Sequence, residues 1–391
     1  MSREVVIVSA ARTPVGRCRG KLASVPVEDL GVIAAKEAVK RAGIDPAEID
    51  DIVFGNIWNN DIACLGRYVG VKAGFPIEVP GVRIDRQCAS SLNAIAYGAA
   101  MIEAGYEDLI LAGGAESDSR RPYMIKKAMI PYQVVPPEII PNGAGGPGEM
   151  GINMGLTAEN VAEKYGFTRE NLDAFAVSSH QKAAKAQREG KFDSQIVPVE
   201  VNKGKGKIEV VTADESVRPD STVESLSKLK PSFKADGVVT AGNSSPMSDG
   251  AGAVVMMTKE HAESIGAERM YKVSGFAAAG VDPRIMGTGP IAAVRKLFNR
   301  KGLSWKDIDI IEMNEAFASQ SLACIEDLDM PVEKLNVNGG ALALGHPLGA
   351  TGAVLVTKMI YELEARNQST GLVCFCIGGG QGAAAFFERI K

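Results

Sequence analysis

The sequence predicts an α/β protein built from two copies of one strand–helix unit, the first copy carrying a long insertion. Three observations point to it. The first is an internal repeat: DIVFGN (Asp51 to Asn56) returns as DIIEMN (Asp309 to Asn314) at an offset of 258, and at the same offset Met101-Ile102 falls on Met359-Ile360. Segments that stay in register over such a distance mark a duplicated structural unit. The second is the alternation of short β-branched runs with stretches whose apolar residues recur at helical spacing. The third is the change of character over residues 116–245, which share neither the repeat nor the alternation. The expected division is a first half over 1–269, with the insertion at about 116–245, and a second half over 270–391.

Each element follows from local pattern. VVIVS at Val5–Ser9 is a continuous β-branched run, as expected of a strand covered on both faces. Glu28–Ala42 has helical periodicity and stops at Gly43, which suits the left-handed residue after a helix. Ile52–Gly55 is the next strand, followed by a short helix near Arg67, a strand at Val82–Asp85, a helix at Ala89–Ala104 and a strand at Leu109–Ala112. In the second half, PIAAVRKLFNRKG repeats the first helix and likewise ends at a glycine, Gly302. This alternation predicts mainly parallel, buried sheets. The insertion holds PYQVVPPEIIPNGAGGPGEMG, amphipathic helices at Thr157–Lys164 and Arg169–Glu189, and a lysine-rich stretch from Lys203 to Lys234. It is expected to cover the sheet core and to supply a binding surface.

Composition removes several classes of function. A net charge of -4 over 391 residues gives no basic surface for nucleic acid. No apolar run approaches the roughly 18 residues of a membrane span, the opening MSREVVIVSAARTPVG is too short in its apolar part for a signal peptide, and FFERIK carries no retrieval or lipidation signal. Six dispersed cysteines do not form a secreted disulfide framework, so a reducing cytoplasm is expected. Cys374 and Cys376 form the only close pair. They lie in one apolar strand with no second pair of ligands, so no metal site is expected.

Two residues carry the chemistry. His346, one of only three histidines, sits in the glycine-dense NGGALALGHPLGATG. Pro347 after it places His346 at the entrance of a helix running to about Glu364. The repeat offset of 258 puts Cys88 opposite His346, so a thiol and an imidazole stand at equivalent helix entrances facing each other across the molecule. A thiol at a helix N-terminus is expected to have its pKa lowered from about 8.5. Cys376, before the triple glycine of CFCIGGGQG, and Asn314, at the end of the repeated strand, add a second thiol and an amide at strand ends. Such a set suits acyl transfer through a thioester.

With these motifs on view the chain resembles the thiolase family over essentially its whole length. The segments that carry the likeness are VVIVSAARTPVG, the Cys88 turn, TAEN, TAGNSSPMSDGA, NEAFA, GGALALGHPLGATG and CIGGGQG. The resemblance implies a thiolase fold, two mixed five-stranded sheets with helices in αβαβα layers and a loop domain in the first half, assembled as a homodimer or homotetramer. It implies no permanent cofactor and coenzyme A as co-substrate, with acyl-CoA substrates; an accessory subunit is compatible with it. Cys88 becomes the nucleophile, His346 its base, Cys376 the proton donor and acceptor, and Asn314 the holder of a water in one oxyanion hole. The N–H groups of Cys88 and Gly378 form the other hole. Arg218 and Ser245 match contacts to the adenine and pantetheine parts of CoA, and Phe233, Met286 and Phe317 match the apolar tunnel.

Two positions depart from the family. Ser91 stands where a glycine is usual after the nucleophile, and Asn153, before MGLTAEN, stands where many acetoacetyl-CoA thiolases have histidine. The segment SRRPYMIKKAMIPYQVVPPEIIPNGAGG beside the expected acyl pocket is also unusual. These differences predict thiolase chemistry on a longer, branched or aromatic acyl chain, with an acetoacetyl-CoA-specific enzyme as the alternative. A ketosynthase would need a second histidine where Cys376 stands; a cysteine hydrolase would leave Cys376 unexplained; a non-catalytic CoA-ester-binding subunit would leave the whole set unexplained.

Overall fold

The computed structural model describes residues 3–127, 139–140 and 152–390. Its centre is a ten-stranded sheet assembled from two matching sets of strands, nine in all, with the short strand Gly16–Arg17 added beside Ser248–Asp249. The first set is β1 (Val5–Arg12), β2 (Asp51–Gly55), β3 (Val82–Ile84), β4 (Leu109–Ser117) and β5 (Ser248–Thr258). The second is β6 (Tyr271–Gly280), β7 (Ile310–Met313), β8 (Thr370–Ile377) and β9 (Gln381–Arg389). The order is β7-β8-β9-β6-β1-β5-β4-β2-β3, so each set runs outward from the β1–β6 join in the same sequence. A parallel bridge from Ile311 to Leu335 supplies the counterpart of β3.

The expectation of mainly parallel sheets is corrected. Only β2–β3, β2–β4 and β7–β8 are parallel; the inner pairs are antiparallel. The reason is coverage. Helices lie on both faces of the antiparallel strands too, so those strands carry the same unbroken apolar runs that parallel strands show. The link between β8 and β9 also leaves no room for a crossover: Gly378–Gly380 turns the chain back at once, with Gly379 and Gly380 at φ of 81° and 80°.

The helices divide into three layers. α1 (Val27–Ala42) and α2 (Leu65–Ala73) pack on the outer face of the first strand set through Leu30, Ala34, Ala38 and Val69. Gly43 closes α1 at φ 69°, as its sequence position predicts. Between the strand sets lie α3 (Ser90–Glu103) and, from the other half, the long C-terminal helix Thr351–Arg366; Leu92, Ile95, Leu355 and Met359 share one core there with strand residues of both halves. On the far face, the helix Gly289–Lys301, closed by Gly302 at φ 67°, and the helix Ala318–Leu328 cover β8 and β9. Helix, sheet, helix, sheet and helix therefore stack in five layers.

The chain between β4 and β5 forms α4 (Met154–Tyr165), α5 (Arg169–Arg188), a hairpin of Val199–Asn202 with Ile208–Val211, and a short helix Val223–Ser227. It is anchored to the sheet by a buried bidentate pair. Arg12 at the end of β1 donates to both oxygens of Asp214 at 2.7 and 2.9 Å, and Asp214 also accepts from the Val15 N–H. We number the later helices α6 (Gly289–Lys301), α7 (Ala318–Leu328) and α8 (Thr351–Arg366).

Candidate active site

The Cys88 turn joins β3 to α3. Gln87 takes a left-handed φ of 47°, an arrangement that disfavours a side chain, and Asp85 Oδ1 holds its N–H at 2.7 Å. Ser90 Oγ accepts from the Arg86 N–H at 2.9 Å and donates to the Gln87 carbonyl at 2.6 Å, which locks the bend. The backbone N–H groups of Gly378 and of Cys88 itself point at the sulfur. Cys88 keeps an opening to solvent, yet the surroundings of its thiol are dense. Burial, opposed by those two N–H groups and aided by the charges of Glu116 and Asp85, pushes the Cys88 thiol up to about 11. The expected lowering by the helix dipole is therefore corrected: desolvation outweighs the helix terminus, and the resting thiol is neutral.

His346 does not stand at a helix entrance as expected. It pairs as a parallel bridge with Met247, a single 3₁₀ turn over Leu348–Ala350 follows, and α8 begins only at Thr351. Pro347 itself has a non-helical ψ of 68°, and Gly345 before the histidine has φ of 105°. The ring is fixed at both nitrogens. Nδ1 lies 2.7 Å from Thr351 Oγ1, and the Asn314 amide donates to Nε2 at 3.2 Å. With Nε2 accepting, the ring proton sits on Nδ1 and is donated to Thr351. Burial lowers the imidazole to about 3, so the ring is neutral and its acceptor nitrogen, Nε2, faces the Asn314 amide. The oxygen of that amide, Asn314 Oδ1, is buried and accepts no hydrogen bond from the protein.

The two helix termini do meet. Ser91 Oγ accepts from the Ala353 N–H in the first turn of α8 at 3.0 Å, and a Cβ on Gly352 would lie 2.1 Å from the Leu92 nitrogen. The serine that replaces the usual glycine thus satisfies one of the unpaired donors at the start of α8.

Cys376 ends β8, fully buried in an apolar cluster with Met286, Phe317 and Leu342. Burial raises its thiol well above the ordinary value, and the neighbouring Cys88 raises it further. Two thiols of the sequence-predicted set are therefore neighbours, and His346 and Asn314 are bound to one another.

On the insertion, a cleft of about 190 Å³ is lined by Arg17, His180, Arg218, Ser244, Pro246 and Leu342 among others. Leu342 also belongs to the cluster around Cys376, and Pro246 precedes the Met247 that bridges His346. The cleft thus leads from two arginines to the neighbourhood of the thiols. Ser245 is held by its N–H to the Ala316 carbonyl at 3.0 Å, between two cleft residues. Phe233 is partly exposed and meets Phe317 edge-on at 6.3 Å between ring centres. Several lysines of the 203–234 stretch are engaged elsewhere: Lys203 with Glu209, Lys228 with Glu224 and Lys234 with Glu163. Asn153 is likewise occupied, since its Oδ1 caps α4 by accepting from the Gly155 N–H at 2.8 Å. The remainder of the unusual loop, 128–138 and 141–151, lies outside the described residues.

Sequence reasoning passed over Thr351, Ser248 and Glu116. Ser248 Oγ accepts from the His346 N–H at 3.1 Å, and Glu116 accepts from main-chain groups of both halves. A hydroxyl at 351, five residues after the histidine, is a faint signal among so many small residues. Among the described residues no group of three or more His, Cys, Asp and Glu side chains is placed to hold a metal ion.

The fold and the relatives that share it define an acyl-transferring enzyme. Residues 5–260 match the thiolase N-terminal domain and residues 267–389 the thiolase C-terminal domain. A 3-ketoacyl-CoA thiolase of Bacillus subtilis is 47% identical, with 99% of each chain covered, and an acetyl-CoA acetyltransferase of Syntrophomonas wolfei is 44% identical, with 100% of each covered. The crystal structure of the Bacillus anthracis acetyl-CoA acetyltransferase superimposes with a TM-score of 0.95 at 41% identity, covering 100% of this chain and 99% of that one. The chain belongs to the thiolase family, a class of acyltransferases with coenzyme A as co-substrate.

Proposed function

We propose that the protein cleaves 3-oxoacyl-CoA with coenzyme A, or runs the reverse condensation, by a ping-pong route through an acyl thioester on Cys88. The observation that carries the reading is a buried set of matching chemistry: a neutral His346 bound to Asn314, and the neighbouring neutral thiols of Cys88 and Cys376, the first met by the Gly378 N–H. His346 Nε2 takes the Cys88 proton, and the thiolate attacks the 3-keto carbon. The bond between C2 and C3 breaks, its electron pair passes to the acetyl-CoA enolate, and Cys376 delivers a proton to C2. Coenzyme A then loses its thiol proton to the Cys376 thiolate and attacks the acyl-enzyme, and Cys88 leaves and regains its proton from His346.

In this scheme the protonated His346 and a water on Asn314 Oδ1 face the enolate oxygen, and the Cys88 and Gly378 N–H groups face the oxyanion of the acyl-enzyme step. The orphaned, buried Asn314 Oδ1 supports the first assignment. Arg218 and Ser245 hold CoA along the cleft, and Phe233, Met286 and Phe317 line the path to the thiols. The halves 1–269 and 270–391, with the insertion at about 116–245, are the units of this reading, supported by the two matching strand sets.

The acyl group is longer than acetoacetyl, branched or aromatic, in keeping with a β-oxidation role. Asn153 supports this, because it puts an amide whose oxygen is spent on capping α4 where many acetoacetyl-CoA thiolases have a histidine. The working form is a cytoplasmic homodimer or homotetramer. No helix among the described residues is long and apolar enough to cross a membrane. The test is CoA-dependent release of acetyl-CoA from a panel of acetoacetyl, medium-chain, branched and aromatic 3-oxoacyl-CoAs, with Cys88→Ala as control. Release abolished by the mutation is expected. Turnover of acetoacetyl-CoA alone refutes the substrate assignment, and silence across the panel by folded protein that binds CoA refutes the activity.

A further inference from the structure

Glu116, the penultimate residue of β4, is fully buried and lies where the two halves meet. Its carboxylate gathers four donors. Oε1 accepts from the Trp58 N–H at 2.9 Å and from Asn56 Nδ2 at 3.0 Å; Oε2 accepts from the Ile57 N–H at 3.0 Å and from the Gly349 N–H at 2.9 Å. Three donors come from the loop after β2 in the first half. The fourth, Gly349, comes from the second half, three residues after His346, inside the turn that leads to Thr351. The packing there has no slack: a Cβ on Gly349 would meet Asn56 Cα at 2.7 Å and Glu116 Oε2 at 2.8 Å, and a Cβ on Gly55 would meet the Ser91 nitrogen at 2.5 Å and the Gly349 carbonyl at 2.7 Å. One carboxylate therefore clamps the histidine turn against the chain on which the cysteine turn rests.

We propose that Glu116 is a positioning residue for the acyl-transfer reaction, holding the His346 turn in register with Cys88 across the interface between the halves. The inference rests on the thiolase reading for the reaction it serves, but not for the geometry. Its chemistry demands an ionised carboxylate. Both oxygens are each met by two N–H groups, so a proton or an amide NH₂ on either oxygen would face donors with nothing to accept it. Burial nevertheless drives Glu116 up to about 7, against the pull of the Trp58, Gly349 and Ile57 N–H groups and the Arg83 charge. The other groups that bear on the site are Asp85, the neutral His346 and the Cys88 thiol, which the Glu116 charge helps to keep protonated after burial has raised it.

The experiment compares Glu116→Gln, Glu116→Asp and Gly349→Ala in the full chain by two readouts. One is kcat and KM for thiolysis; the other is the pH midpoint of Cys88 alkylation by iodoacetamide, which needs no turnover. Glu116→Gln is expected to lower kcat by about 100-fold with KM for CoA within about threefold, as a shift of roughly 1 Å between reacting groups does. Loss of the charge is expected to move the alkylation midpoint down by about half a pH unit or more. Glu116→Asp and Gly349→Ala, which keep the charge and disturb only the clamp, should lower kcat without lowering that midpoint. A parent-like kcat in Glu116→Gln, or an unchanged midpoint beside a fall in melting temperature alone, overturns the proposal. If Glu116→Gln does not fold, a parent-like kcat in Gly349→Ala overturns it. If parent protein shows no thiolysis but the midpoints shift as stated, the failure lies with the reaction assigned and not with the clamp.

Discussion

Thr351→Val tests the assignment of His346 as a base. The two side chains have nearly the same shape, so the substitution removes one acceptor, the Oγ1 that lies 2.7 Å from His346 Nδ1 in a buried site. Two responses are open to the ring. It can keep the proton on Nδ1 and leave a buried N–H without a partner, which costs about 1–3 kcal/mol. Or it can move the proton to Nε2, where it meets the Asn314 amide N–H head-on and no longer accepts from Cys88. Either way the competent tautomer becomes rarer by about 1–2 kcal/mol, and kcat should fall roughly 5- to 30-fold. KM for CoA should stay within about twofold, because the cleft lined by Arg17 and Arg218 is formed largely by other segments. Steady-state thiolysis with circular dichroism as a check on folding gives the answer. A kcat within twofold of the parent would show that Thr351 does not set the tautomer and would remove the basis for calling Nε2 the proton acceptor.

Three further outcomes follow from the geometry. Arg218→Ala should raise KM for CoA about tenfold, some 1.4 kcal/mol, and leave kcat nearly unchanged, since only the cleft loses a cation; an equal fall in kcat would place Arg218 in the chemistry instead. Lys358→Met strands the Glu312 carboxylate, whose only buried cation lies 2.7 Å away, and should destabilise the protein by about 3–5 kcal/mol in chemical denaturation; a loss under 1 kcal/mol would mean that Glu312 is protonated in the fold. His180 is lowered to about 4 by burial and then by the Arg218 charge, so between that pH and about 6.5 the unfolded chain binds a proton that the folded chain does not. Stability contributed above pH 6.5 is thus lost as pH falls through this window. His180→Asn, which can still accept from the Arg218 N–H, should flatten that decline by up to about 1.4 kcal/mol per pH unit; superimposable curves for the two proteins would refute it.

What the sequence made legible depended on the range of the interaction. The repeat and the helix ends at Gly43 and Gly302 followed from periodicity and punctuation, which are local or repeated signals, whereas the five layers were implied only by the resemblance to thiolases. Cys88, His346, Cys376 and Asn314 were singled out through motif and register; the fold binds Asn314 to His346 and makes neighbours of Cys88 and Cys376. Strand direction was misread because a buried strand has the same apolar run whichever way its neighbour points. The start of α8 was misplaced because Pro347 permits a helix but the glycines around it favour a bridge and a single 3₁₀ turn. Glu116 and Thr351 went unnoticed for a different reason. Glu116 acts on a loop 233 residues away, and nothing in GGAES marks which carboxylate will be buried against it.

The largest error of local reasoning concerns the acidity of Cys88, and its correction bears on the proposed chemistry. A helix terminus argues for a thiolate, yet the sulfur is packed where desolvation wins and the thiol stays protonated up to about 11. For a one-way nucleophile that would be a handicap. Here Cys88 must both attack the substrate and depart when CoA, another alkyl thiol, attacks the acyl-enzyme. A strongly acidified cysteine leaves easily but attacks weakly, and it would make its own thioester too reactive toward water. A cysteine with basicity closer to that of an ordinary thiol keeps the acyl-enzyme near the energy of an acyl-CoA, so neither direction is locked. The proton must then be removed on demand. In the proposed route that role falls to a neutral imidazole whose Nε2 is kept unprotonated by the Thr351 and Asn314 contacts, in keeping with Thr351, Asn314, Ser248 and Glu116 all being spent on fixing one histidine turn.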